Sequence, residues 1–327
     1  MGKMTILSFL WEQFSMVPPV TMVDLAGKTV VLIGANTGLG FEACKHFARM
    51  NPGRLIMACR KKQKGEAAIK KLQEETDYQA AELWIIDLAQ FSSVTAFVDK
   101  FEKDQGRLDI LVENAVCGPT AYEATSDNWE MGLQVNCLSL SLLALRLLPI
   151  MIETGKKYNT HPRLVAVTSE VHFWSNIEKE VLDGDEIYKT LNIKAYCTPA
   201  YDSSVMGTRY FDSKLLNLFF YQGLVERLPT RAVVVAGVNP GYCISELRRE
   251  MTSMRAFLDA IMEKILARST EEGSRQLVYA ALAGAEDDEA MHGKVVQNKL
   301  WLEMMSILEK IDPRVRETEK KYLTPME

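Results

Sequence analysis

One stretch near the start of the chain restricts its fold more than any other. The apolar run Thr29-Val30-Val31-Leu32-Ile33 passes directly into Gly34-Ala35-Asn36-Thr37-Gly38-Leu39-Gly40 and then into the amphipathic Phe41-Glu42-Ala43-Cys44-Lys45-His46-Phe47-Ala48. This reads as strand, G-x-x-x-G-x-G turn, helix. Glycine lets a turn adopt conformations closed to other residues and lets another backbone come close. The helix that follows offers unpaired N–H groups and a positive dipole end to an anion such as a pyrophosphate. Three glycines can close any strand-to-helix turn, so the weight lies in their position between a first strand and an amphipathic helix.

The rest of the chain repeats that alternation. Strands are expected at 29–34, 54–59, 82–87, 108–113, 163–169, 231–237 and 293–297. Helical periodicity occupies 39–50, 62–75, 91–104, 127–154 and 208–227. The strands are near-continuous apolar runs, the pattern of a parallel sheet buried on both faces. The expected fold is therefore α/β, a doubly wound Rossmann fold whose seven-stranded parallel sheet carries helices on both faces. Residues 24–327 form a single domain, and 1–23 an apolar arm set off by Pro18-Pro19. The arm's run Met4–Trp11 is too short to span a bilayer. Two readings stay open for it: packing on the domain, or contact with a membrane or a lipophilic substrate entrance.

Composition narrows the function class. A formal net charge of −5 over 327 residues, with no basic face, gives no support for nucleic-acid binding. The six cysteines include no C-x-x-C and no zinc-ligand spacing, so no metal site is expected and reduced thiols in a cytoplasmic protein are. The sequence leaves the oligomeric state open.

An NAD site places a ribose-binding acid about 20 residues past the glycine turn. Here Cys59-Arg60-Lys61-Lys62-Gln63-Lys64 has four cations and no acid. Arg60 and Lys64 suit a 2′-phosphate, so the expected cofactor is NADP(H). Tyr210 and Lys214, four apart on one helix, share a face. An ammonium beside a phenol favours the phenolate and suits the pair to proton transfer. Ser169 ends a strand at the sheet's carboxyl edge, where α/β ligands bind, though strand-end serines commonly cap turns. Asn136 stands inside an apolar helix that its propensity disfavours.

With these residues in place the chain resembles the short-chain dehydrogenases/reductases over roughly residues 25–300. The wording of Met57-Ala58-Cys59-Arg60 and Tyr210-Phe211-Asp212-Ser213-Lys214-Leu215-Leu216-Asn217 is most similar to the retinol-dehydrogenase-like branch, its fungal members above all. The resemblance implies a catalytic Asn136, Ser169, Tyr210 and Lys214, with Asn136 holding a water that links Lys214 to solvent. It implies cofactor contacts at Gly34, Asn36, Gly38, Leu39 and Gly40 and at Asp87, which stands at the adenine-binding position. The N-N-A-G motif appears as Glu113-Asn114-Ala115-Val116, keeping Asn114 but departing at Glu113 and Val116. The P-G-x-x-x-T segment appears as Pro240-Gly241-Tyr242-Cys243-Ile244-Ser245, with Pro240, Gly241, Cys243 and Ser245 as contacts.

Two stretches exceed a minimal sheet and read as substrate-region insertions, about 170–207 and 244–268. The first carries Trp174, Tyr188, Tyr196 and Tyr201, the second Met251, Met254 and Phe257. They read either as core or as the wall of an apolar pocket, the second also as a lid. The expected function is NADP(H)-dependent interconversion of a lipophilic alcohol and its aldehyde or ketone, in the cytoplasm or at the surface of an internal membrane. The alternative is a non-catalytic NADP(H)-binding sensor or scaffold, which loss of Tyr210 or Lys214 would have favoured, and both are present.

Overall fold

The structure is a computed structural model and describes residues 6–104, 106–198, 204–229, 232–245, 247, 262–282 and 294–324. Six strands form one parallel sheet: β1 Thr29–Ile33, β2 Arg54–Cys59, β3 Ala81–Ile85, β4 Ile110–Glu113, β5 Arg163–Val167 and β6 Val234–Val238. They lie in the order β3-β2-β1-β4-β5-β6, so the chain reverses direction across the sheet between β1 and β4. Ligands of such sheets bind at this switch point, outside the carboxyl ends of the strands.

Alternate residues of each strand feed two cores. Val31 and Ile33 of β1 join Ile56, Ala58 and Leu111 beneath the helix Phe91–Lys103, the long helix Met131–Tyr158, the tyrosine helix Ser204–Arg227 and the C-terminal helices. Val30 and Leu32 join Leu55, Met57 and Val112 beneath Gly38–Arg49, Lys62–Thr76 and Thr270–Leu282. The inner strands β1, β2, β4 and β5 are thus buried on both sides, which accounts for their apolar composition, whereas the edge strands β3 and β6 are partly exposed. The helix Met131–Tyr158 is long and apolar enough to cross a membrane, yet it is mostly buried inside the fold and serves as a core helix.

The expected seventh strand, 293–297, is corrected. Residue 293 lies outside the described residues, and Lys294–Ile311 is a helix. Its Leu300, Trp301, Met304, Met305 and Leu308 are buried at helical spacing, and that stripe outweighs the local strand preference of Val295-Val296. The sheet therefore has six strands among the described residues. The insertion after Ser169 has local structure of its own: a 3-10 turn Glu170–Trp174 and short helices Lys179–Asp183, Ile187–Asn192 and Lys194–Cys197. Tyr188 there is 1% exposed and belongs to the core, so the reading of it as pocket wall is corrected. Tyr201, Met251, Met254 and Phe257 lie outside the described residues.

Candidate active site

The glycine turn is held by the end of its neighbouring strands. Gly34 and Gly38 have φ of 83° and 58°, in the left-handed region that favours glycine. The Gly34 and Ala35 amides both donate to Ala58 O at the end of β2. Asn114 Nδ2 donates to Gly34 O at 3.1 Å, so the residue after β4 pins the turn. A side chain at Gly40 would place its Cβ 2.2 Å from Gly34 O and 2.6 Å from Asn114 Nδ2. Gly40 is therefore the close-packing glycine that seats the helix on the sheet. Leu39 packs partly buried near Gly273, and Asn36 is half-buried in the turn.

Around that turn lie the other expected contacts. Arg60 and Lys64 are exposed beyond β2, and among the described residues neither forms an ion pair. Asp87 follows β3. Its Oδ1 accepts from Ala89 N at 3.0 Å while its own amide donates to Ser93 Oγ at 2.9 Å. Past β6, Gly241 has φ of 79° and its amide donates to Asn239 Oδ1 at 3.1 Å. Pro240 and Cys243 are buried, and Ser245 Oγ accepts from Leu247 N at 3.4 Å. A Cβ on Gly273 would meet Cys243 Sγ at 2.4 Å, so this segment lies tightly against the helix Thr270–Leu282.

Ser169, two residues past β5, caps the 3-10 turn through Val171 N at 3.4 Å. The capping reading and the sheet-edge reading thus hold together. Asp212 ties this turn to the tyrosine helix: its Oδ1 accepts from Ser175 Oγ at 2.7 Å and from Asn176 N at 3.1 Å. On that helix Tyr210 is half-buried, and Lys214 Nζ lies 5.8 Å from the centre of its ring. Lys214 is 2% exposed, and its ammonium donates to Val167 O at 2.6 Å, the last residue of β5. Burial in this site pushes its pKa down to about 8.

Asn136 sits in a π-helical turn, Gln134–Leu138, within the long helix. Its side chain is fully engaged. Oδ1 accepts from Cys117 N at 2.9 Å, and Nδ2 donates to Cys117 O at 2.8 Å and to Ser213 Oγ at 2.9 Å. Ser213 Oγ in turn donates to Tyr210 O at 2.8 Å. Asn136 therefore clamps the loop after β4 to the turn of helix that carries Tyr210 and Lys214. The propensity conflict at this position has a structural reason in these hydrogen bonds.

Several participants were not legible in the sequence. Gln13 sends Nε2 to Tyr242 O and Leu266 O, both at 2.7 Å, and accepts from Tyr242 N at 3.0 Å. It thereby binds the helix Ile6–Gln13 to the segment after β6. Phe9 on that helix meets Trp174 and Tyr242 edge-on, with ring centres 6.1 and 6.5 Å apart. Trp174 meets Phe211 at 6.2 Å, and Phe211 meets Tyr210 at 6.3 Å. Only three-dimensional contact reveals this aromatic run.

The model of the short chain dehydrogenase family matches residues 28–178. Among curated proteins, the chain is 30% identical to the short chain dehydrogenase/reductase dmxR8 of a Cryptosporiopsis species, over 94% of this chain and 99% of that one. It is 33% identical to the short chain dehydrogenase atnD of Emericella nidulans, over 94% and 95%. Among solved structures, a short-chain dehydrogenase from Sphingobium yanoikuyae in complex with NADPH aligns at TM-score 0.54 and 23% identity, over 76% of this chain and 81% of that one. The L-sorbose reductase of Gluconobacter frateurii, complexed with NADPH and L-sorbose, aligns at 0.55 and 18%, over 80% and 92%. The sheet order and the site geometry define a Rossmann-type oxidoreductase. The chain belongs to the short-chain dehydrogenase/reductase family, with fungal relatives along nearly its whole length.

Proposed function

We propose that the protein interconverts a lipophilic alcohol and its aldehyde or ketone with NADP(H), using Tyr210 as the general acid and base. One observation carries this reading: a buried lysine beneath the Tyr210 ring, at the carboxyl edge of a sheet whose glycine turn is pinned for a dinucleotide. The residues fit the cofactor. A turn that tolerates no side chain at Gly40 stands at a helix N-terminus, and exposed Arg60 and Lys64 follow β2 where an acid would repel a 2′-phosphate. When bound, NADP(H) supplies or accepts the hydride.

The remaining work belongs to the chain. Ser169 and Tyr210 hold the substrate oxygen. In reduction the Tyr210 hydroxyl gives that oxygen its proton, and in oxidation it takes the proton back. Lys214 keeps most of its positive charge at neutral pH even with its pKa near 8. That charge favours the Tyr210 phenolate and so eases proton release. With the cofactor bound, its ammonium would hold the ribose hydroxyls. Asn136 keeps the helix turn bearing both groups in register.

The apolar side chains around Tyr210 support the lipophilic substrate class. Phe9, Trp174, Phe211 and Tyr242 form an apolar run beside Tyr210. Apolar walls with few polar groups are the usual make-up of a small-molecule pocket. Burying hydrocarbon against them contributes about 25 cal/mol per Å². In this reading the N-terminal helix walls the substrate entrance.

The test has two arms. NADPH and NADH are titrated by their fluorescence, and NADPH consumption is followed with straight-chain aldehydes from hexanal to dodecanal. The expected outcome is tighter binding of NADPH and kcat/KM that rises with chain length. A best substrate that is a small acid or a sugar would overturn the substrate class. Binding of NADPH with no turnover of any alcohol or carbonyl compound would favour the sensor.

A further inference from the structure

Glu113 is the last residue of β4, at the middle of the sheet, in register with Ile33 of β1 and Ala166 of β5. It is 1% exposed, at the end of an otherwise apolar strand. Its Oε2 is hydrogen-bonded to the Tyr221 hydroxyl, and its Oε1 has no partner among the described residues. A bare carboxylate in such surroundings is costly, and burial pushes the Glu113 carboxyl up to about 8. At neutral pH the group is an acid that keeps its proton.

The pair connects to the active site. Tyr221 lies two helical turns beyond Lys214, so both point to the same side of the tyrosine helix. The Asn217 amide is hydrogen-bonded to the Tyr221 hydroxyl. Asn217 Nδ2 donates to the main-chain carbonyl of Asn136 at 3.0 Å. The π turn that carries this carbonyl also sends Cys137 Sγ to Ser213 O at 3.2 Å, next to Lys214.

We propose that Glu113 is a positioning residue: through Tyr221 and Asn217 it fixes the Asn136 carbonyl, and with it the Ser213–Lys214 turn that sets Tyr210. The inference rests on the roles of Tyr210 and Lys214 proposed above. Donor counting gives the chain a direction. Asn217 Nδ2 donates to the Asn136 carbonyl, the Asn217 amide donates to the Tyr221 oxygen, and the Tyr221 hydroxyl donates to Glu113 Oε2. Glu113 Oε2 is thus the acceptor on which the chain ends, and an ionised carboxylate accepts from Tyr221 more strongly than a neutral one. The titratable group set against the pair is Cys137 on the π turn. The register partners on β1 and β5 are apolar.

The experiment compares the full-length wild type with Glu113→Gln and Tyr221→Phe. Infrared spectra without substrate should show a protonated-carboxyl band at neutral pH that fades as pH rises through about 8 and is missing in Glu113→Gln. Hydrogen exchange over residues 134–138 should be about tenfold faster in Tyr221→Phe, the effect of one lost buried hydrogen bond. Glu113→Gln keeps an oxygen that accepts from Tyr221, so it should match the wild type at neutral pH. Between neutral pH and about pH 9, after correction for the intrinsic rate, the wild type should exchange more slowly because its ionised carboxylate is the stronger acceptor, while Glu113→Gln, with no charge to gain, should not change. With dodecanal, Tyr221→Phe should lower kcat while the KM for NADPH stays unchanged. Glu113→Gln, being isosteric, carries the test if Tyr221→Phe does not fold. An unchanged carboxyl band in Glu113→Gln, or equal exchange in all three proteins at both pH values, overturns the inference. Absence of NADPH binding or of turnover in the wild type would strike the proposed function instead, and the infrared and exchange data would still judge Glu113.

Discussion

At the scale of single residues, the hydroxyl of Tyr210 and the charges of Arg60 and Lys64 separate chemistry from binding. Tyr210→Phe removes one oxygen from a half-buried ring and leaves Lys214 on Val167 O. NADPH binding should survive in this variant, and turnover should fall by about 10²–10⁴, the range of lost acid–base catalysis; stopped-flow or steady-state assays with an accepted aldehyde decide it. Arg60→Ala with Lys64→Ala should weaken NADPH on the order of tenfold or more and leave NADH nearly unchanged. Equal losses for both cofactors, measured by fluorescence titration, would reduce the two cations to solvated surface. Lys214 gives a pH signature. Its pKa is lowered from 10.5 to about 8, so the folded state binds fewer protons than the unfolded chain between those values. Stability withheld by the buried ammonium is missing below about pH 8 and returns as pH rises towards 10.5. Lys214→Met should therefore melt higher than the wild type at neutral pH, with the gap closing across that window, and it should be inactive. A gap that does not depend on pH would contradict the assignment.

At the scale of elements, the inner strands β1, β2, β4 and β5 were the most legible part, because burial on both faces leaves few polar positions to obscure them. The glycine turn and the Tyr210/Lys214 pair were legible for a related reason: both depend on local spacing. Contacts that cross the chain were hidden. Nothing about Gln13 announces that it will meet Tyr242 and Leu266, more than 200 positions away. Glu113 carried a weak signal, an acid closing an apolar strand, but its partner Tyr221 lies 108 residues on. The error at 294–297 came from weighing two adjacent valines above the longer stripe from Leu300 to Leu308. The turn itself allows a sharp test. Gly40→Ala puts a methyl group against backbone at Gly34 O, which cannot rotate away. Overpacking of this kind costs about 1–3 kcal/mol. The variant should melt lower and lose NADPH affinity together, whereas a change in melting alone would detach the turn from the cofactor.

At the scale of the molecule, the C-terminal helices Lys294–Ile311 and Arg314–Tyr322 brace the back of the site. Trp301 stacks on Phe220 of the tyrosine helix with ring centres 5.6 Å apart. Asp312 pairs with Arg146, a guanidinium buried in the long helix, which also reaches Glu102 at 2.7 Å. Removing one partner of a buried ion pair costs about 3–5 kcal/mol when the other charge is left alone. Asp312→Ala should cost less than that, because Glu102 remains, and Asp312→Ala with Glu102→Ala should cost more than the sum of the two single changes. Denaturant titration of the three variants measures the coupling, and simple additivity would show that the acids act independently.

That bracing also has a consequence in time. A chain made from its N-terminus presents the apolar helix Met131–Tyr158 and the tyrosine helix long before residues 294–322 exist to cover them. The sheet can assemble as its strands appear, but Phe220 and the Arg146 guanidinium wait for Trp301 and Asp312. During that interval the nascent protein carries an open hydrophobic seam, the kind of surface that draws chaperones or seeds aggregates. The helix that holds Tyr210 and Lys214 thus becomes solid late, and its maturation waits for residues 294–322 to be made.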